Sequence, residues 1–356
     1  MSRHPHAVIA FGMKVWLIDV GLHGHKVQVE TVGKILARKA GAECAWIRGS
    51  LSVRGGARSL LKRFIGVIPK RWIPGWIRLM YHGFTLPEGL PDLIVTSGSG
   101  TIPLCRLLKR LSGAPSIFLG EIHPPRSTCF DLVVATVTLG LPNEIITPLT
   151  LTGYTPELAA QAAAGLWPEG VPEHCWTMII GGNGKFHEYD AGDWRTLAES
   201  MNQAAARHGI RWLISTSRRT GAENEAILKD GLAPGVIADA IWWASSPRQG
   251  LAAFVYAGER VFVTRDSLTM ISEVIATREL VEVVCPGRDM MDTNSVFARY
   301  QARLKKEGRL SYHRMNELDD ACPARPADSI RARQEAFEAL LAARTMALVA
   351  RRNRDS

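Results

Sequence analysis

Asp266, Ser267, Thr269, Met270 and Glu273 stand at a spacing that could hold a nucleotide. A helix beginning at Asp266-Ser267 leaves backbone N–H groups unpaired at its start. With the helix dipole, these favour an exposed anion by ~0.3–1 kcal/mol per charge. Glu273 lies about two turns further, on the face shared by Asp266 and Thr269, where a carboxylate could accept both hydroxyls of a ribose. The same pattern also suits an ordinary crossover helix with an N-cap. Two other loops offer what a phosphate needs: Gly181-Gly182-Asn183-Gly184-Lys185 and Ser217-Arg218-Arg219-Thr220. Glycines let N–H groups approach an anion, and Lys185, Arg218 and Arg219 offset its charge. Gly182, Asn183, Lys185, Ser217, Arg218, Arg219, Ser267 and Thr269 are therefore expected around a diphosphate. Near the N-terminus, His25 follows a glycine turn, Gly21-Leu22-His23-Gly24, and can accept a proton near neutral pH. A histidine merely satisfied at a helix end would look the same. Asp19 is the alternative base, or the group that orients His25.

The elements that must position these residues read as alternating strands and helices. Arg260 to Thr264 is a β-branched run, residues from Leu268 onward take helical spacing, and Leu280 to Cys285 is again a strand. Strand, helix, strand is the repeat of a parallel α/β sheet. Further strands are expected at Lys14–Val20, Glu43–Ile47, Asp92–Thr96, Ser116–Leu119, Asp131–Ala135, Glu144–Thr147, Trp176–Ile180, Arg211–Thr216 and Ala238–Ala244. Helices are expected over Lys26–Ala40, after Thr101, and from Asp193 to His208. In a parallel sheet the strand C-termini share one edge, so the loops after Ile180, Thr216 and Thr264 could converge. The chain divides on this reading into an N-terminal Rossmann-like domain (1–150) and a connection rich in Pro, Gly, Thr and Ala (151–172) that carries one short helix, Pro156–Ala164. A second Rossmann-like domain (173–325) and a basic C-terminal helix (326–356) follow, the helix packing back on the first domain.

Composition narrows the partners. A net charge of +9 on 356 residues favours phosphorylated sugars, nucleotides or anionic lipid. No basic helix carries the interleaved aromatics of a nucleic-acid platform, so nucleic acid is not an expected partner. G-x-G-x-x-G is absent, since the third glycine would fall at Pro103, and no Walker motif or D-x-D occurs. No bound metal and no resident cofactor are expected. The six cysteines lie far apart, mostly within apolar runs, which suits a reducing, cytoplasmic compartment. No charge-free run is long enough to span a membrane.

One stretch is unlike the rest. Residues 54–84 carry seven basic side chains (Arg54, Arg58, Lys62, Arg63, Lys70, Arg71, Arg78) and no acidic one. Leu60, Leu61, Phe64, Ile65, Val67, Ile68, Trp72, Ile73, Trp76 and Ile77 are interleaved among those in 54–78. Such a segment fits the interface of an anionic membrane, as two short helical pieces broken at Pro69 and Pro74. The other reading is that its apolar side closes over the N-terminal sheet.

Taken in order, Leu93–Thr101, Phe130–Val134, Ile179–Asn183, Thr216–Thr220 and Val263–Glu273 resemble the bacterial members of the mitochondrial fission, or elongated-mitochondria, protein family. Gly24-His25 with Gln28 matches that family's first loop. The family is described as glycosyltransferases of the GT-B fold, so the resemblance implies two Rossmann-like domains facing across a cleft. More distantly, Asp266–Glu273 and the Gly-His loop are similar to the enzyme that adds N-acetylglucosamine to the lipid-linked peptidoglycan precursor. That similarity implies that Glu273 holds the ribose of a nucleotide-diphosphate sugar, the donor substrate. It also implies a cell-envelope acceptor, such as lipopolysaccharide core or a lipid-linked glycan, met at the inner face of the cytoplasmic membrane. The alternative from the same family is a catalytically silent adaptor that recruits partners at a membrane. Ser97-Gly98-Ser99-Gly100 and Ala135-Thr136-Val137-Thr138 depart from the family pattern, and both fall in the acceptor half.

Overall fold

A computed structural model describes residues 12–19, 21, 23–51, 65–184, 186–287, 294–318, 324 and 326–355. The chain forms two compact units, Met1–Leu151 with Arg333–Ser356, and Thr152–Ala332.

In the first unit the chain runs β1 (Lys14–Asp19), α1 (His23–Ala40), β2 (Glu43–Arg48), β3 (Ser50–Leu51), α2 (Ile73–Met80), β4 (Tyr81–His82), β5 (Leu93–Ser97) and α3 (Ile102–Ser112). It continues with β6 (Ser116–Leu119), β7 (Leu132–Ala135) and β8 (Glu144–Ile146). Six of these strands make one sheet in the order β2-β1-β5-β6-β7-β8, every pairing parallel. Both faces are covered, which is why the strands read as unbroken apolar runs. Alternate residues serve opposite layers: Val15 and Leu17 pack with Val29, Val32 and Leu36 of α1, while Trp16 and Ile18 pack with Leu104 and Leu108 of α3.

The second unit holds α4 (Pro156–Leu166), β9 (Cys175–Ile179), α5 (Ala191–His208), β10 (Arg211–Ser215), α6 (Ala222–Gly231), β11 (Ile237–Ile241), α7 (Leu251–Ala257) and β12 (Val261–Thr264). α8 (Leu268–Arg278), β13 (Val281–Cys285), α9 (Val296–Lys306) and β14 (Leu310–Arg314) complete it. Its parallel sheet has the order β11-β10-β9-β12-β13-β14. Relative to β9 this is the doubly wound Rossmann order, with the winding reversing between β9 and β12. α5 starts on a capping box, Asp190 and Asp193 each bonding the other's backbone N–H, and ends at Gly209 in the left-handed conformation. Its Trp194, Leu197 and Met201 bury against Trp176 and Met178 of β9.

Two expectations are corrected. The 151–172 stretch carries the expected short helix, α4, but from Thr152 on it is part of the second unit rather than a connection: Leu166 and Trp167 join Phe254 of α7, and the rings of Trp167 and Phe254 stack at 5.7 Å. The basic C-terminal helix is α10 (Ile330–Asp355). From Arg333 on it belongs to the first unit, burying Phe337 and Leu341 in the α1-side core. In the basic stretch, Ile65, Ile68, Ile73, Ile77 and Met80 are core residues of the first unit, not a membrane face. Pro69 precedes a 3-10 turn (Lys70–Trp72) and Pro74 sits in the first turn of α2, as short helical pieces require. Val67 and Trp72 do stay exposed, at 75% and 55%. Arg54, Arg58, Leu60, Leu61, Lys62, Arg63 and Phe64 lie outside the described residues. No helix among the described residues is long and apolar enough to cross a membrane.

Candidate functional site

The strand order reverses between β9 and β12, the point where doubly wound sheets take their ligands, and the chain segments that leave these strands are the predicted ones. Gly181–Gly184 follows β9, Ser217–Thr220 follows neighbouring β10, and Asp266-Ser267 follows β12. A single buried carboxylate ties them together. Asp266 accepts from the Gly182 N–H (3.2 Å), the Tyr189 hydroxyl (3.1 Å) and the Thr264 hydroxyl (2.7 Å), and pairs with the Arg219 guanidinium (2.6 Å). Thr264 Oγ1 in turn accepts from the Gly181 N–H at 2.7 Å. Ser217 donates to the Gly181 carbonyl at 3.0 Å, and Thr220 bonds the same oxygen. Asp266, expected at the ligand, is thus turned inward, and its work is to position the loops.

This packing explains the glycines. A Cβ on Gly182 would stand 2.2 Å from the Arg219 carbonyl oxygen, and one on Gly181 2.0 Å from Asp266 Oδ2. Neither has room for a side chain. Asn183 is exposed and accepts the Tyr189 N–H at 2.7 Å, closing the loop on itself. Arg219 keeps part of its guanidinium open (37% exposed) while held by Asp266. Arg218 is exposed and engages no acidic side chain among the described residues. Lys185 lies outside the described residues.

Ser267 is the N-cap of α8, its hydroxyl accepting from the Met270 N–H. The Ile271 N–H bonds the Ser267 carbonyl, which leaves the Leu268 and Thr269 N–H groups at the open helix end. Thr269 and Met270 are half-buried there. Glu273, one turn beyond Thr269, is half-buried, and burial pushes its carboxyl up to about 7. Its charge bears on Tyr154, whose phenol is raised by burial and then by Glu273. A half-buried carboxylate that meets no countercharge among the described residues can accept hydroxyl donors from a ligand.

The first sheet reverses between β1 and β5, and His25 of α1 and Ser97 of β5 meet at that point. His25 Nδ1 lies 2.9 Å from Ser97 Oγ. Ser97 has one hydroxyl proton, and its other neighbours, the Leu119 carbonyl (2.9 Å) and Gln28 Oε1 (3.2 Å), are acceptors. Nδ1 therefore donates to Ser97, and Nε2 presents its lone pair. Burial lowers the imidazole pKa, which favours the neutral form, the one able to accept a proton. Gly98, at φ +84°, makes room for the ring, since a Cβ there would approach His25 Cδ2 to 2.9 Å. Asp19 is not brought to His25 by any hydrogen bond among the described residues; its Oδ1 accepts the Gly21 N–H at 2.8 Å. Ser97 takes the orienting role instead. Sequence reasoning passed over Ser97, Thr264, Tyr189 and Tyr154; Ser97 and Thr264 had a signal, each being the polar end of a buried strand.

Comparison with known proteins follows this geometry. Residues 23–341 match the family of mitochondrial fission ELM1. No curated protein matches the chain in sequence. Among solved structures, the calicheamicin glycosyltransferase CalG4 is similar at 12% identity, covering 96% of this chain and 99% of its own, with a TM-score of 0.54. UDP-GlcNAc 2-epimerase from Methanocaldococcus jannaschii is similar at 10% identity, covering 92% and 99%, with a TM-score of 0.56. The same epimerase in complex with UDP-GlcNAc and UDP gives a TM-score of 0.51 at the same identity and coverage. The shared feature is the fold, that of the GT-B glycosyltransferases, with two Rossmann-like units.

Proposed function

The chain belongs to the mitochondrial fission ELM1 family, and on that premise we propose that it transfers a sugar from a nucleotide-diphosphate donor to a cell-envelope acceptor. The observation that carries the reading is the second switch point. There three loops are fixed by Asp266 beside an open helix end, exposed Arg218 and half-open Arg219. In this reading the Gly182 loop, Asn183, Lys185, Ser217, Arg218, Arg219 and the start of α8 hold the diphosphate, and Glu273 accepts the ribose hydroxyls. Fold-mates that act on nucleotide sugars, such as the UDP-GlcNAc epimerase, support that donor class. His25 Nε2 takes the proton of the acceptor hydroxyl as its oxygen bonds the anomeric carbon. The bond from that carbon to the phosphate oxygen breaks, and the nucleoside diphosphate leaves with the electron pair. Positive side chains and N–H groups stabilise that developing charge. The acceptor is a glycolipid, such as lipopolysaccharide core or a lipid-linked glycan, reached from the inner face of the cytoplasmic membrane by a protein that docks there peripherally.

Thermal melting against a panel of nucleoside diphosphates tests the reading. A ligand at 100 times its Kd adds ~2.7 kcal/mol, a plain rise in Tm. If no nucleotide moves the melt, the donor site is dead and the silent adaptor is the better account.

A further inference from the structure

A second basic site lies in the first unit. Arg106, Lys109 and Arg110 of α3 line a cavity of about 310 Å³ with Thr128 and Cys129. Lys109 is neutralised by Asp131 and also donates to the Cys129 carbonyl at 3.2 Å. Arg110 donates to the Ile65 carbonyl, which carries no charge. Among the described residues neither Arg106 nor Arg110 meets a carboxylate, so the cavity keeps about two uncompensated positive charges. α3 runs back from the C-terminal edge of β5, and Lys109 meets Asp131 just before β7, so the cavity lies at the edge opposite His25. An acceptor site at the switch point does not account for it.

The surroundings narrow the occupant. Ile65, held by Arg110, leads into Val67 (75% exposed), Lys70, Arg71 and Trp72 (55% exposed), and α2 adds Arg78 and Leu79 (58% exposed). A soluble anion needs no such apolar neighbours. A phospholipid needs them, because its phosphate sits directly above glycerol and acyl carbons. We propose that the Arg106–Lys109–Arg110 cavity is a phosphate-binding site for the headgroup of an anionic lipid, with Val67, Trp72 and Leu79 entering the membrane interface beside it. The inference rests on the proposed peripheral docking and gives it a specific headgroup pocket.

Flotation of the full chain with phosphatidylcholine vesicles, with and without phosphatidylglycerol, tests it. The expected result is salt-sensitive binding only to the phosphatidylglycerol vesicles. Arg106→Glu should weaken that binding about 10- to 30-fold, as expected for two charge steps at an anionic surface. Arg106→Lys should keep most of it. Lys39→Glu, a charge reversal on exposed α1, should cost clearly less. Equal losses from Arg106→Glu and Lys39→Glu would mean diffuse attraction without a pocket and would overturn the proposal. So would a chain that ignores these vesicles while inorganic phosphate raises its Tm through Arg106, since the occupant would then be a soluble anion. Arg106→Gln keeps the test open should Arg106→Glu fail to fold. Nucleoside-diphosphate melting of Arg106→Glu stays at the parent value, so failure here is distinguishable from failure of the donor site.

Discussion

Glu273→Gln separates a ligand-binding carboxylate from a structural one, because the two roles give opposite signs. Burial moves this carboxyl from its usual 4.5 to about 7. Such a shift costs the ionised form on the order of 3 kcal/mol; partial solvent access trims this to about 2–3. The folded-state value is raised, so the protonated group's contribution is fully present below pH 4.5 and is lost as pH rises through 7. At pH 8 the neutral glutamine should therefore make the ligand-free protein more stable by about 2–3 kcal/mol, a Tm rise on the order of 5–10 °C. Binding moves the other way. Near pH 8 about nine-tenths of the carboxyl is ionised and near pH 6 about one-tenth, so the parent's affinity should fall roughly tenfold between them. Glu273→Gln should abolish that pH dependence and weaken binding at pH 8 by about 1.5–3 kcal/mol, the worth of a charged hydrogen bond. Differential scanning fluorimetry and calorimetric titration across pH 5.5–8.5 read both arms. A variant that melts lower than the parent and binds a nucleotide as tightly would refute the reasoning.

Other expected outcomes are more local. His25→Ala should lower turnover about 10²–10⁴-fold with donor affinity little changed, and Ser97→Ala should shift the pH profile of kcat by releasing the imidazole tautomer. Gly182→Ala forces a methyl to within 2.2 Å of the Arg219 carbonyl oxygen, so nucleotide binding and melting temperature should fall together. Glu282 is buried between Arg260 and His313; burial raises its carboxyl, but hydrogen bonds from those two hold it below its usual value. Its contribution is present above the usual carboxyl value and lost as pH falls through the depressed one. Glu282→Ala strands the buried Arg260 guanidinium, and urea denaturation near pH 7 should show a loss of about 3–5 kcal/mol.

The sequence carried the local features and hid the long-range ones. β-branched runs ending in Gly or Ser marked most parallel strands and the loops at their C-termini, because strands buried on both faces must be apolar throughout. β14 was missed: it reads Leu-Ser-Tyr-His-Arg, and its buried His313 meets Glu282 of β13. α6 was missed too, its pattern being short and opened by Gly221 without a side-chain cap. At the site, Ser267 was legible as an N-cap, since capping is local. Asp266 looked identical to a ligand-facing acid, and only its contacts with Gly182, Tyr189 and Arg219, some 47 to 84 residues distant, turn it inward. The same holds for Ile65 to Met80, whose apolar residues looked available for a membrane until the packing of α2 on α3 covered most of them.

Arg218→Ala tests the central claim most directly, since Arg218 is exposed and ties down no other loop. Calorimetry would compare a nucleoside diphosphate that stabilises the parent with the matching nucleoside, titrated into parent and variant. If the loop after β10 faces a diphosphate, the diphosphate should weaken by about 1.5–3 kcal/mol, tenfold or more, and the nucleoside should be unaffected. Equal weakening of both ligands, or of neither, would contradict a diphosphate site at the switch point.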